Sequence, residues 1–377
     1  MAADANFRRI GAGLSKTSAT LTFQAHQGLP GLRHLNEDWL RLLESMPGAS
    51  FNHFPGWYRA YLSCGDVDAA KVWFIAIHRN AQLVAICPLQ FQSHRVPFLH
   101  PRYLGTLKGN ELQLSDFIFA PDADNGSLLC ELTHWLRSQR ALRWDVLRLL
   151  NVSENSSLGY AAKLRRPSLT LAADYDASAF FDTSGSYDHA TRAIHSKMRS
   201  NLRRRAKLAQ SEAALRFESC RTPEQVWRAF ETFLDIESSG WKGPTGNRSS
   251  IRCRPTVLNF YTEMVREFIA RNECVINLLW HGDQAIAAQL GLQLGRTLYI
   301  LKVGYRDTNP TIAPGILLQD RTIRHACEHP VIDVLSMVNN PHWLHGFKPD
   351  TVKIRLLCVP NWTVQGLLAQ LGMWLKR

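Results

Sequence analysis

CVINLLWHGDQAIAAQLGLQLGRTLYILKV, Cys274 to Val303, is the stretch whose reading decides the fold. It holds three short apolar runs, Cys274–Trp280, Ala285–Leu294 and Leu298–Val303, parted by His281-Gly282-Asp283-Gln284 and by Gly295-Arg296. Such runs read as strands joined by tight turns, because glycine accepts the positive φ a hairpin turn needs. The spacing predicts a three-stranded antiparallel meander. A polar loop, Tyr305–Thr311, follows, then Ala313-Pro314-Gly315 and Ile316–Cys327, in which Ile316, Asp320, Ile323 and Cys327 fall near one helix face. This order aims the free N–H groups of a helix start into the space beside the last strand, a setting suited to the pyrophosphate of a nucleotide-like cofactor.

Working outward, 377 residues suggest two domains or one large one, and 45% apolar residues rule out a disordered chain. The eight cysteines are scattered, with no CxxC pair and no histidine at metal-ligand spacing, so they read as buried thiols of a reducing, cytoplasmic protein and no metal is expected. Residues 1–20 read as a flexible leader without an apolar signal core, and no run approaches the ~20 residues that span a bilayer. A net charge of +12 calls for an anionic partner: cofactor phosphates, an acidic carrier protein, nucleic acid or an anionic membrane face.

One pattern occurs twice. Val72–Ile77, His78, a turn and Val84-Ala85 are echoed by Val275–Trp280, His281, a turn and Ile286-Ala287. A helix followed by Trp144-Asp145-Val146-Leu147 is echoed by a helix followed by Ile332-Asp333-Val334-Leu335. This divides the chain into 21–175 and 176–377, with the crossover in Asn151–Ser186. Helices are expected at Glu37–Ser45, Ser127–Arg140, Pro223–Ser238 and Val364–Lys376. Between Ser186 and Gln210 lies a basic amphipathic helix, with Arg199, Arg203 and Lys207 forming one charged stripe.

Asp235-Ile236-Glu237-Ser238-Ser239-Gly240-Trp241-Lys242-Gly243 resembles a motif of the CelD/BcsL-like acyltransferases of the GNAT superfamily. So do Lys197–Arg204, Leu298–Tyr305, Ala313-Pro314-Gly315 and, in the first half, Phe54-Pro55-Gly56-Trp57 with Tyr103-Leu104-Gly105. The resemblance implies an α/β (α+β) architecture of two tandem GNAT-like domains, each a mixed, mainly antiparallel sheet flanked by helices, related to Fem-type aminoacyltransferases. It also implies acyl transfer from a thioester such as acyl-CoA to a small-molecule or sugar amine, in envelope or exopolysaccharide metabolism. One departure stands out: the Gln/Arg-x-x-Gly-x-Gly/Ala phosphate loop of many GNAT enzymes is reduced here to Ala313-Pro314-Gly315.

Amine acylation needs a proton acceptor, a stabiliser for the carbonyl oxygen and a proton for the departing sulfur. Glu237 is the candidate acceptor, against the plainer reading of a helix-end carboxylate paired with Lys242. By analogy with the Fem-type enzymes, Lys302 would stabilise the oxyanion or hold phosphate, against a lysine that only snorkels from a strand edge. Tyr305 would protonate the leaving group, or merely pack a loop. Trp241 and Lys242 would line the acceptor cleft. Pro314, Gly315, Ile316 and Leu317 would hold donor phosphate, or form only a Pro-Gly turn into a helix. Arg199 and Arg203 would dock an anionic donor, an acidic acyl carrier protein or tRNA, or be solvated. The last helix, with Trp362 and Trp374 beside Lys376-Arg377, would touch a membrane or, more plainly, pack on the core. Three functions follow: an acyl-CoA-dependent N-acyltransferase, a transferase using aminoacyl-tRNA or an acyl carrier protein, and a non-catalytic binding protein.

Overall fold

The computed structural model describes residues 20–65, 67–94, 100–109, 111–164, 171–306 and 311–374. The first half runs β1 (Leu21–Gln27), α1 (Gly28–Glu44), α2 (Pro55–Ser63), β2 (Val72–Arg79), β3 (Gln82–Gln92), β4 (Tyr103–Gly105), β5 (Ile118–Phe119), α3 (Asn125–Ser138), β6 (Val146–Ser153) and α4 (Ser157–Leu164). β7 (Leu171–Asp182) leads into α5 (Tyr187–Ala190), α6 (Ser196–Glu212), β8 (Leu215–Cys220), α7 (Pro223–Glu237) and α8 (Pro255–Ile269). The meander follows as β9 (Cys274–His281), β10 (Gln284–Leu294) and β11 (Thr297–Tyr305), then α9 (Pro314–Glu328), β12 (Val334–Ser336), β13 (Asp350–Pro360) and α10 (Val364–Trp374).

The fold is mixed α/β, with one large, mainly antiparallel sheet flanked by helices. Its strands run β1-β2-β3-β4-β6-β13-β7-β12-β11-β10-β9-β8, with β5 beside β3. Read inward from both edges, the halves repeat the same order, and in each the fourth and fifth strands pair in parallel: β4 with β6, β11 with β12. The central strands are exchanged. β7 follows the first half in the chain but pairs with β12 of the second, while β13 follows the second half but pairs with β6 of the first. β7 and β13 pair with each other along most of their length, so each half is completed by a strand from the other.

The meander lies where its turns placed it, and α7 is capped by Thr222 with a reciprocal bond from Gln225. Four expectations need correction. Asn151–Ser186 is no plain crossover, since it carries α4 and the central strand β7. α1 begins at Gly28, whose φ of 58° a glycine tolerates. β11 extends to Tyr305, taking up the start of the expected loop, of which residues 307–310 lie outside the described residues. The expected apolar face of α10 does not pack on the core: Val364, Leu367, Leu368 and Leu371 are exposed, and the helix is seated through Ala369 instead. The side chain of Trp374 and residues 375–377 lie outside the described residues, as does nearly all of the leader.

The largest apolar cluster spans both halves, with Trp57 of α2 edge-on to Phe260 of α8 at 5.2 Å and Phe51 edge-on to Tyr299 of β11 at 5.1 Å. A second cluster fills the opposite face of the second half's sheet and receives Leu202 and Ala209 from α6, confirming its apolar stripe. All eight cysteines are free and five are buried. Among the described residues no helix is long and apolar enough to cross a membrane.

Candidate active site

β11 changes phase partway along. Against β10 the register passes from Ile300 to Lys302, so Leu301 is the extra residue of a β-bulge. Before it, Leu298 and Ile300 pack toward α9 while Tyr299 and Leu301 face the cluster that joins the halves. After it, Val303 packs toward α9, Tyr305 sits against Gly315, and Lys302 and Gly304 turn to the α7–α8 side. Without the extra residue Lys302 would point to the other face.

The edge of β11 is open just there. β11 and β12 pair only from Thr297–Val334 to Tyr299–Ser336. Beyond Ser336 the chain bends to β7, where Met337 N–H donates to the Ala179 carbonyl at 2.8 Å and Val338 takes a φ of 60°. The equivalent edge in the first half is closed. Thr106 Oγ1 donates to the Leu150 carbonyl at 3.1 Å and accepts the Leu150 N–H at 2.8 Å, and Ser115 N–H donates to Asn151 at 2.9 Å. Side chains thus seal one parallel pair and leave the other splayed.

On the α9 side of the open edge lies a pocket of about 400 Å³, lined by Trp241, Lys242, Val303, Tyr305, Ala313, Pro314, Gly315, Ile316 and Trp343. Three of these are exposed aromatics, Trp241 at 59%, grouped as scattered surface residues seldom are. A Cβ on Gly315 would stand 3.2 Å from the Tyr305 ring, so glycine lets the strand end and helix start meet. Ala313 adopts φ 50°, and its carbonyl accepts the N–H groups of Ile316 at 3.0 Å and Leu317 at 3.2 Å. Pro314 has no N–H, so the first turn leaves Gly315 to supply one.

Glu237, the last residue of α7, is 5% exposed and lies beneath this pocket. Its Oε2 accepts the Ile251 N–H at 2.8 Å and its Oε1 is 3.5 Å from Lys242 Nζ, so the carboxylate ties down the loop that presents Trp241 and Lys242. Lys302, on the far face of β11, reaches across to the first half: its Nζ is 2.8 Å from Glu111 Oε2. Tyr261 OH donates to the same oxygen at 2.5 Å, and Arg254 stands 3.5 Å from Oε1. Burial pushes Glu111 up, but Lys302, the Tyr261 hydroxyl and Arg254 hold it below its ordinary value; the buried Tyr261 is raised by desolvation and by Glu111.

On that same face, between the halves, a cavity of about 390 Å³ is bordered by Tyr299 and Ser336 at the mouth of the splay, by Ser178 and Phe180 of β7, and by His53 and Asp116. His53 Nδ1 accepts the Ser50 N–H at 3.1 Å, so Nε2 carries the proton and donates to Asp116 at 3.0 Å. Asp116 also accepts the N–H groups of Ser157 and Leu158, so this pair braces the cavity wall.

The structure therefore gathers Trp241, Lys242, Tyr305, Pro314, Gly315 and Ile316 around one pocket, with Leu317 buried behind it, Glu237 below and Lys302 across the strand. Arg199 and Arg203 are elsewhere, in a groove of about 350 Å³ between α6 and α9 with Tyr187, Asp320, Arg321 and Arg324. Arg199 donates to the carbonyls of Thr191 at 2.8 Å and Ile194 at 3.2 Å, closing the end of α5. Glu111, Tyr261, Arg254 and Trp343 were not anticipated.

Residues 196–342 match the family model described as Acetyltransferase (GNAT) domain. Among solved structures the chain is similar to FemX, with 12% identity over 89% of this chain and 98% of that one and a TM-score of 0.56. It is similar to L-PGS from Bacillus licheniformis, with 13% identity over 93% and 98% and a TM-score of 0.54. It is also similar to a C-terminal domain (DUF2156) from Agrobacterium fabrum, with 12% identity over 91% and 95% and a TM-score of 0.52. At these identities the likeness is one of fold. No curated protein matches the chain.

Proposed function

We propose that the chain is an N-acyltransferase that moves an acyl group from a thioester, acyl-CoA in the simplest case, to an amine. The observation that carries this is the open edge of β11, with an aromatic-walled pocket on one face and a serine-lined cavity on the other. A pantetheine-like arm held by Trp241, Tyr305 and Trp343 would thread the splay and present its carbonyl to an amine in the inter-half cavity. Attack forms the C–N bond and breaks the C–S bond, with no covalent enzyme intermediate. The amine's proton passes through water to Glu237, and the departing thiolate takes the Tyr305 hydroxyl proton, which solvent restores. Lys302, held by its ion pair with Glu111, supplies positive potential as the carbonyl oxygen gains charge. The serine-rich cavity wall favours a small hydroxyl-bearing amine, an amino sugar included, and the CelD/BcsL resemblance agrees with an envelope or exopolysaccharide role.

One observation favours a second donor class. With the Ile316 and Leu317 N–H groups engaged by Ala313, the start of α9 offers little grip on a pyrophosphate. A donor carried on an acyl carrier protein or a tRNA would instead use the arginines between α6 and α9. Thermal-shift titration with acyl-CoA, acyl carrier protein and aminoacyl-tRNA separates these donors, since a ligand stabilises the fold it binds. Stabilisation by acyl-CoA that Trp241→Ala and Trp343→Ala abolish supports the thioester pocket, and none from any donor leaves a binding protein.

A further inference from the structure

α10 is held to the molecule by its small residues. Ala369 is buried against Tyr103, Val146 and Cys358, and a Cβ on Gly366 would stand 2.5 Å from the Asp145 carbonyl. Seating the helix through Gly366 and Ala369 turns its large side chains outward. Val364 is 74% exposed, Leu371 57%, and Leu367 and Leu368 are exposed beside them. Trp362, 61% exposed, stands at the head of this apolar face with the Arg137 guanidinium 5.3 Å from its ring centroid.

Beside Trp362 opens a recess of about 360 Å³ whose charged lining residues are Arg102, Arg137, Arg140 and Arg143. Arg102 is paired with the buried Asp145 at 2.9 Å, and Arg137 donates to the Pro360 carbonyl at 3.3 Å. Among the described residues Arg140 and Arg143 have no acidic partner. An apolar helix face in water, headed by a tryptophan and rimmed by unpaired arginines, has the composition of an interfacial membrane contact.

We propose that α10 and this recess form a face that binds an anionic phospholipid surface, with the leucines at the acyl boundary and lipid phosphates against Arg140 and Arg143. The face lies outside the pocket and cavity given to acyl transfer, so it stands whether or not that reading holds. The complementary charge selects a phospholipid surface over a second copy of the chain, whose recess would carry the same sign.

The test is sedimentation of the full-length protein with vesicles of phosphatidylcholine alone or mixed with phosphatidylglycerol. Wild type should sediment with the mixed vesicles. Leu367→Gln/Leu371→Gln should weaken this about tenfold or more without changing the melting temperature, because both side chains already face water. Arg140→Ser/Arg143→Ser should erase the preference for phosphatidylglycerol. The proposal is overturned by wild-type protein that stays in solution with both vesicles, by binding that the double leucine variant leaves unchanged, or by a wild-type dimer that this variant dissociates.

Discussion

Lys302 and Glu111 meet across the two halves of the molecule, ammonium to carboxylate at 2.8 Å. The lysine is brought there by a one-residue bulge, and the carboxylate by a loop from the other half of the sheet. Removing the lysine leaves Glu111 with Arg254 and the Tyr261 hydroxyl. Lys302→Ala should therefore cost about 1–3 kcal/mol of stability, read by urea denaturation. Lys302→Ala/Glu111→Gln should recover most of that stability, while acyl transfer stays low in both variants because the positive potential beside the carbonyl is gone.

Gly304 and Gly315 give opposite outcomes. A Cβ on Gly304 would stand 2.9 Å from Glu237 Cα, a backbone atom that cannot swing aside, so Gly304→Ala should destabilise by about 1–3 kcal/mol. At Gly315 the obstacle is the exposed Tyr305 ring, which can turn. Gly315→Ala should leave the melting temperature nearly unchanged and weaken donor binding several-fold, measured by calorimetry.

Trp241 and Trp343 face solvent across the pocket at the start of α9. Alanine at either position should raise the KM for the donor by about tenfold with little change in stability, because the apolar contact is made only with ligand. The KM for the acceptor amine should stay within about twofold, as neither ring borders the inter-half cavity.

Two partly buried groups contribute to the acid limb of stability. Burial, with Arg221 and His329 nearby, pushes His325 down to about 4 from 6.5, so the folded protein prefers the neutral ring. Across that window the unfolded chain binds a proton the folded one does not, and stability falls as pH drops from 6.5 toward 4. Glu111, held low by its cationic partners against the effect of burial, contributes stability that is full above about pH 4.5 and lost as pH falls through its folded value. His325→Gln should flatten the upper part of the urea-midpoint curve and Glu111→Gln the lower.

The meander, the α9 start and the motif around Glu237 were legible because hairpin glycines, Pro-Gly and a capping threonine act within a few residues. Tyr305 and Gly315 could be placed together because they flank one short loop; Trp241 and Lys242, expected in the acceptor cleft, share that pocket through a tertiary contact that no local signal marks. The Glu111–Lys302 pair was not legible: its partners belong to different halves, and the bulge that aims the lysine leaves no mark in the sequence pattern. β7 went unseen because its alanines and aspartates lack the apolar alternation of a strand, its place being set by β12 and β13 on either side. α8 was missed although Val257, Phe260, Tyr261, Met264, Val265 and Phe268 recur at helical spacing. α10 shows the limit of periodicity, which gave the apolar stripe but not what it faces.

The most direct test is hydrogen exchange at Ile300–Tyr305 with and without a non-hydrolysable acyl-CoA analogue. These residues pair with β10 on one edge and leave the other edge open to the splay, so a threaded thioester arm should slow exchange of the N–H groups on the open edge together with the first turn of α9, leaving β4 and β6 unchanged. Protein that turns over acyl-CoA while this stretch exchanges at its unliganded rate would contradict the open edge as the donor channel.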